Sequence, residues 1–229
     1  MEEYSIDSFS IDDINKGKII LVDKPIRWTS FDVVKYIRKS LQLKFKMKKI
    51  KVGHAGTLDP LATGLLIICI GKQTKSISEY QNLSKTYTGK FKLGESTLSY
   101  DAETDVNENF EYEHITFDDL KRLADEFIGR NMQKPPIFSA IKKDGKRLYE
   151  YARDNKKIDI DEREIDIYNF EIIDFASPYV DFKIECSKGT YIRSIANDFG
   201  KRLNSGSYLY ELRRTKIGDF CVLNAMDIK

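Results

Sequence analysis

The sequence predicts an α+β fold with a mixed, mostly antiparallel sheet flanked by helices and loops. Three observations lead there. Residues 164–174 (EIDIYNFEIID) and 179–187 (YVDFKIECS) alternate apolar and polar side chains with the period of a half-buried strand, with Ser177-Pro178 between them as a turn. Helical periodicity shows in residues 31–41, where Val33, Val34, Ile37 and Leu41 share one face. Strands and helices also fail to succeed each other in strict β-α-β order, which argues against a parallel, doubly wound sheet.

In chain order, the opening twelve or so residues are polar and expected to fray. Residues 18–25 (KIILVDKP) read as a buried strand. Trp28-Thr29-Ser30 follows, where a hydroxyl can cap the helix of residues 31–41 by accepting from a first-turn N–H. A lysine run then leads to a Gly- and Pro-punctuated segment, residues 53–64, and to LLIICIG (65–71), a short central strand. Residues 85–93 (KTYTGKFKL) alternate as a strand does, and a helix is predicted over 118–128, ended by Gly129. After Pro135-Pro136 comes an exposed excursion in which a basic turn, KKDGKR, enters a short aromatic helix. A helix over 192–203 and returning strands within 208–222 complete the pattern. No linker, low-complexity tract or repeat divides the chain, so residues 1–229 are expected to form one domain.

Composition narrows the classes of function. Of 229 residues, 41% are hydrophobic and 32% charged. A chain of this length buries roughly 70% of its unfolded surface. The longest strongly apolar run, residues 65–70, is far short of the roughly 20 residues that span a membrane. The N-terminus has no basic start or long apolar stretch, so no signal peptide is expected and the cytoplasm is the expected compartment. Three scattered cysteines and two histidines fit neither a disulfide scaffold nor a metal knuckle, and neither a Gly-rich dinucleotide fingerprint nor a P-loop is present. No cofactor and no metal are expected. The net charge of +2 is too small to announce nucleic-acid binding, but it is segregated: residues 44–51 hold five lysines, whereas residues 101–119 hold eight acids and no Lys or Arg. Such runs are often no more than solvated surface.

Three segments are candidates for chemistry. GHAGTLDPLATG (53–64) packs three glycines, a proline, His54 and Asp59 in front of a buried strand; Pro60 fixes the backbone directly after Asp59, so its carboxylate would be held in place. The plain alternative is an aspartate that only caps its own turn. SKGTYIR (187–193) ends a strand and opens a helix, with Arg193 in the first turn. An arginine there is often a surface ion pair; facing a buried aspartate it would stabilise the carboxylate charge. Spacing leaves open whether Arg193 faces Asp59. The third feature interleaves aromatic and basic residues at Lys85, Tyr87 and Lys90 and again at Lys142, Lys143, Lys146, Arg147, Tyr149 and Tyr151. Bases splayed from an RNA loop stack on such rings while lysines follow phosphates, although an ordinary strand with outward lysines has the same pattern.

GHAGTLDPLATGLL, the following GKQTK, FSAIKKDGKRLYEYAR and SKGTYIRSIANDFG closely resemble, in order and spacing, the signature blocks of bacterial TruB-type tRNA pseudouridine synthases, and the resemblance runs from about Lys18 to Asp227. It implies a pseudouridine synthase core, a curved mixed sheet flanked by helices and loops, and isomerisation of uridine 55 in the TΨC loop of tRNA without cofactor. It also implies site roles. Asp59 matches the catalytic aspartate and Arg193 the arginine paired with it. Tyr87 matches the tyrosine that stacks on the flipped uracil and helps deprotonate C5. His54 matches the histidine against the RNA loop, Lys75 a lysine of the cleft, Leu212 an apolar residue of the uracil pocket, and Lys24 the early Lys-Pro turn. Residues near 131–157 match an insertion that grips the T-arm stem-loop. A monomer with no obligatory protein partner is expected.

The pattern departs from the family at one end. Many members carry a β-rich PUA domain after the catalytic part, and the residues up to Lys229 are too few for one. The lysines of residues 44–51 are then a candidate source of compensating RNA affinity. RNA-guided synthases depend on that appended domain, and a glycosidase would need a second carboxylate that the sequence does not offer. An inactive tRNA-binding chaperone remains as a third alternative.

Overall fold

The computed structural model describes residues 6–154 and 158–228. Residues 1–5 of the start expected to fray, and residues 155–157 of the expected insertion, lie outside that range. The chain forms two compact units, Met1–Tyr87 with Leu212–Lys229, and Thr88–Glu211.

The first unit opens with helix α1 (Ile11–Lys16), strand β1 (Lys18–Lys24) and helix α2 (Ser30–Phe45). Strands β2 (Val52–His54) and β3 (Ala62–Ile70) follow, then a 3-10 stretch (Gly71–Ser76), α3 (Ile77–Asn82) and the start of β4 (Lys85–Leu93). The second unit continues β4 and adds the hairpin β5 (Glu95–Thr97) and β6 (Val106–Asn109), α4 (Phe117–Glu126), β7 (Gly129–Gln133), β8 (Lys142–Lys143), β9 (Lys146–Arg147) and α5 (Leu148–Arg153). It ends with β10 (Arg163–Ala176), β11 (Tyr179–Cys186), α6 (Ile192–Arg202) and the first half of β12 (Ser207–Ile217). The second half of β12 belongs to the first unit, which closes with β13 (Phe220–Cys221) and β14 (Met226–Asp227).

In the first unit the strand order is β14-β1-β3-β12. β1 and β3 are antiparallel, whereas β1–β14 and β3–β12 are parallel. This is the mixed sheet of an α+β fold. β3 is apolar on both faces because both are covered. Leu66, Ile68 and Ile70 pack with Ile20 and Val22 of β1 under α2, which contributes the four predicted residues Val33, Val34, Ile37 and Leu41. Leu65, Ile67 and Cys69 pack on the other side with Ala55, Ile217 and Val222. α2 starts where the sequence says: Thr29 Oγ1 accepts from Asp32 N at 3.1 Å, and the Asp32 carboxylate accepts from Thr29 N at 3.1 Å, a capping box.

In the second unit β4, β11, β10 and β7 are neighbours in that order, with β10 antiparallel to both β11 and β7. Its core is aromatic. Phe91 of β4 stacks on Phe182 of β11 at 4.1 Å between centroids, and Phe170, Phe199 and Phe127 close around them.

Three local differences from the sequence reading have physical causes. β3 begins at Ala62 rather than residue 65, because residues 62–64 pair in parallel with Leu212, Arg213 and Arg214. α4 stops at Glu126 because Phe127 N and Ile128 N bond three residues back, to Ala124 O and Asp125 O, tightening the last turn before Gly129. The acid-rich stretch supplies the second strand of the hairpin β5–β6, which neither alternation nor turn residues announced.

Phe91→Ala removes the centre of the aromatic cluster and is expected to lower the unfolding free energy by about 3–5 kcal/mol. Urea denaturation checks this; a loss below about 1 kcal/mol would mean that the cluster collapses around the gap.

Candidate active site

Asp59 lies between β2 and β3, in a loop whose backbone is held residue by residue. Arg214 Nη2 donates to Gly56 O at 3.0 Å and Nη1 to Thr57 O at 3.3 Å. Ser30 Oγ donates to Leu58 O at 3.1 Å and accepts from Leu58 N at 2.8 Å. Ala62 N donates to Asp59 O at 3.1 Å, and Arg27 N to Pro60 O at 2.7 Å. The five carbonyls from residue 56 to 60 thus all have donors, which fixes the path of the loop backbone.

The two cations in this scheme are fully buried: Lys24 is 0% exposed and Arg214 is 1% exposed. Lys24 stands at the end of β1 and donates to Trp28 O at 2.6 Å and Pro25 O at 3.0 Å, with Pro60 O at 3.4 Å. Arg214 stands on β12, where its Nε donates to Leu65 O at 2.8 Å. Its backbone reaches that close only because residue 64 is glycine: Gly64 has φ +105°, and a Cβ there would lie 2.2 Å from Arg214 O. Burial pushes the Lys24 amine down to about 8, with the charge of Asp59 opposing the shift and that of Arg214 adding to it. Burial first, and then the Arg214 guanidinium, push the His54 imidazole below its ordinary value, so the ring is neutral at pH 7.

The other predicted residues fall into place as follows. Tyr87 is buried on β4, Leu212 is half-buried on β12 opposite Ala62, and Lys75 is exposed at the end of the 3-10 stretch. These three, with Asp59, His54 and Lys24, belong to the first unit. Arg193 belongs to the second, in the first turn of α6, where it is buried. Its Nη1 donates to Phe138 O at 3.0 Å and Ser99 O at 3.2 Å, and its Nε lies 3.5 Å from Asp101 Oδ2. Asp101 Oδ1 in turn accepts from Ser99 Oγ at 2.6 Å and Glu103 N at 3.0 Å. In the same unit the predicted basic turn is a tight hairpin, β8–β9, turning through Asp144 and Gly145, both with positive φ. It enters α5, where the Arg147 and Arg153 guanidinium groups lie 5.9 and 5.4 Å from the Tyr149 ring.

Sequence reasoning missed Arg27, Ser30, Asp101 and Arg214. One signal was available: Arg213 and Arg214 are consecutive in a strand, so they must point to opposite faces and one of them inward. Arg213 does pair with the Asp23 carboxylate, Nη1 to Oδ1 at 3.0 Å, while Arg214 goes into the loop. Asp101 opens the acid-rich run and could not be told from its exposed neighbours. Among the described residues no three His, Cys, Asp or Glu side chains are grouped to hold a metal ion, and no helix is long and apolar enough to cross a membrane.

Residues 39–192 match the family model described as TruB family pseudouridylate synthase, N-terminal domain. Over 214 residues the chain is 55% identical to tRNA pseudouridine synthase B of Flavobacterium johnsoniae, covering 93% of both chains. It is 52% identical over 212 residues to the protein of the same name from Chloroherpeton thalassium, covering 91% of this chain and 86% of that one. In fold it is similar to a chain of a Cbf5-Nop10-Gar1 complex, with a TM-score of 0.69 and 24% identity, covering 100% of this chain and 58% of the other. That likeness concerns the fold, and this chain spans a little over half of that one.

The buried lysine makes stability depend on pH in a defined direction. Its folded value, about 8, is below the ordinary 10.5, so between these values the unfolded chain binds more protons and stability rises with pH. Below pH 8 both states are protonated and the burial penalty is fully present. The difference in unfolding free energy between wild type and Lys24→Met is therefore expected to shift in favour of wild type from pH 8 to pH 10.5, and urea melts across that range measure it.

Proposed function

The chain belongs to the TruB family of pseudouridylate synthases, and on that premise we propose that it converts uridine to pseudouridine in tRNA, at position 55 of the TΨC loop, with Asp59 acting on the ribose. The observation that carries the assignment of Asp59 is the loop around it, in which the carbonyls of residues 56–60 are all engaged. A carboxylate on such a backbone needs little reorganisation to meet a reacting atom.

The reaction breaks the bond from uracil N1 to ribose C1′, turns the base while it stays bound, and joins C5 to the same carbon. The proton on C5 is lost and one is gained at N1, so no oxidant, reductant or hydride carrier is called for. Asp59 acts in one of two ways: it adds to C1′ as a nucleophile, or it removes the C2′ proton to give a glycal. Both routes use the same carboxylate. The target must leave its stack, at a cost of a few kcal/mol recovered by stacking in the pocket. We assign that stacking, and help with the C5 proton, to Tyr87, an apolar wall to Leu212, contact with the opened RNA loop to His54, and a phosphate-side contact to Lys75. His54, neutral at pH 7, suits a residue laid against bases. Lys24 is assigned to hold the loop, since its three partners are backbone carbonyls.

Arg193 is assigned as partner of the catalytic carboxylate, with Asp101 and the carbonyls of Ser99 and Phe138 positioning its guanidinium. The grip on the T-arm is assigned to residues near 131–157, with the β8–β9 hairpin and Tyr149 beside the Arg147 and Arg153 guanidinium groups. The enzyme works as a monomeric catalytic domain in the cytoplasm.

Asp59→Asn is expected to reduce turnover of an unmodified tRNA transcript by about 10³-fold or more with tRNA affinity retained; pseudouridine formation at a near-normal rate would exclude Asp59. Arg193→Lys keeps the charge but loses the planar fork, and a fall in kcat of about 10²-fold is expected. Single-turnover kinetics measures it, and an unchanged rate would remove Arg193 from the machinery.

A further inference from the structure

Residues 27–51 contain nine Lys or Arg and a single acid, Asp32, in a chain whose charges nearly cancel over its whole length. The structure turns this segment into helix α2 and the turn after it. Asp32 is spent on the N-cap of α2, and Arg27, Lys35, Lys39, Lys44, Lys46, Lys48, Lys49 and Lys51 are all exposed. Large apolar side chains lie among them: Ile26 is 56% exposed, Phe31 53% and Leu43 70%. Lys35 Nζ stands 5.0 Å from the Phe31 ring centroid, and Tyr36 sits edge-on to Trp28 at 5.9 Å. Exposed rings of this size on a helix whose inner face is already packed are not used by the core.

The position of the patch gives it meaning. Its aromatic end is tied to the loop of Asp59, through Arg27 N to Pro60 O at 2.7 Å and Ser30 Oγ to Leu58 O at 3.1 Å. From there α2 carries the cations away over 16 residues, about 24 Å. Rings beside the reacting group and lysines further out are the arrangement that holds single-stranded nucleotides by stacking and the backbone by charge.

We propose that the outer face of α2 and the turn after it form a docking track for the substrate RNA. Phe31 stacks on a base adjoining the extruded uridine, and Lys39, Lys48 and Lys49 contact phosphates leading away from it. This rests on the reading of the protein as a tRNA pseudouridine synthase and adds to it a surface outside the Asp59 loop.

The test uses the full chain and an unmodified tRNA transcript, measuring Kd across salt concentrations together with kcat/KM for pseudouridine formation. Phe31→Ala is expected to weaken binding by about 5- to 100-fold, with Phe31→Tyr restoring it because the ring is kept. Lys39→Ala/Lys48→Ala/Lys49→Ala is expected to flatten the salt slope by about 2, with kcat/KM falling in proportion to affinity. These positions are exposed, so folding is not at stake. If wild type makes pseudouridine while both variants keep its Kd and salt slope, the track is overturned and the enzyme assignment stands. If wild type makes none, the assignment falls and the track with it.

Discussion

Two buried cations facing backbone carbonyls hold the centre of the first unit. Taking an ammonium and a guanidinium out of water costs several kcal/mol each even after relaxation. Here the return comes from carbonyl dipoles: Arg214 reaches Leu65, Gly56 and Thr57, and Lys24 reaches Trp28, Pro25 and Pro60. Hydrogen bonds to charged groups contribute about 1.5–3 kcal/mol each, so the three made by each cation offset part of that cost, and for Lys24 burial still outweighs them, since its amine stays below its ordinary value. What the molecule gains is a loop with a defined path. Its carboxylate, neutral imidazole and proline follow from where those carbonyls are pinned, and so do the glycine at residue 64 and the parallel pairing of β3 with β12.

The second unit handles its own buried arginine differently. Arg193 is met by two carbonyls and a carboxylate, and that carboxylate is itself fixed by a serine hydroxyl and a backbone N–H. Both arginines are immobilised, but one organises backbone while the other is oriented by side-chain charge. The distinction explains why lysine is a poor substitute for either one, on different grounds: Arg214 needs reach in three directions, Arg193 needs a fixed plane.

Much of this was legible from the residues alone, and the limits follow from physics. The Thr29 cap, the buried face of α2 and the pair β10–β11 were readable because they depend on neighbours three or four positions away or on period-two alternation. Asp59 stood out through the glycines and the proline around it, and Arg193 through its place at the opening of a helix. Arg214, Ser30 and Asp101 did not, because each acts on a segment between 28 and 158 positions distant in the chain. The early start of β3 was hidden for the same reason. The lysine run was already a candidate for RNA contact in the sequence, but its aromatic companions became visible only once α2 placed Phe31 and Tyr36 on the exposed side of the helix.

The points where the chain passes from one unit to the other have a consequence for dissecting the protein. They fall at Tyr87/Thr88 and Glu211/Leu212, inside β4 and β12 and not in connecting loops. Trimming a gene at these junctions would leave half-strands whose peptide groups lose their ladder partners, a recipe for clumping. Circular permutation should therefore open the chain in a turn such as Asp144-Gly145, where the cut falls within no strand and β8 and β9 stay in one chain.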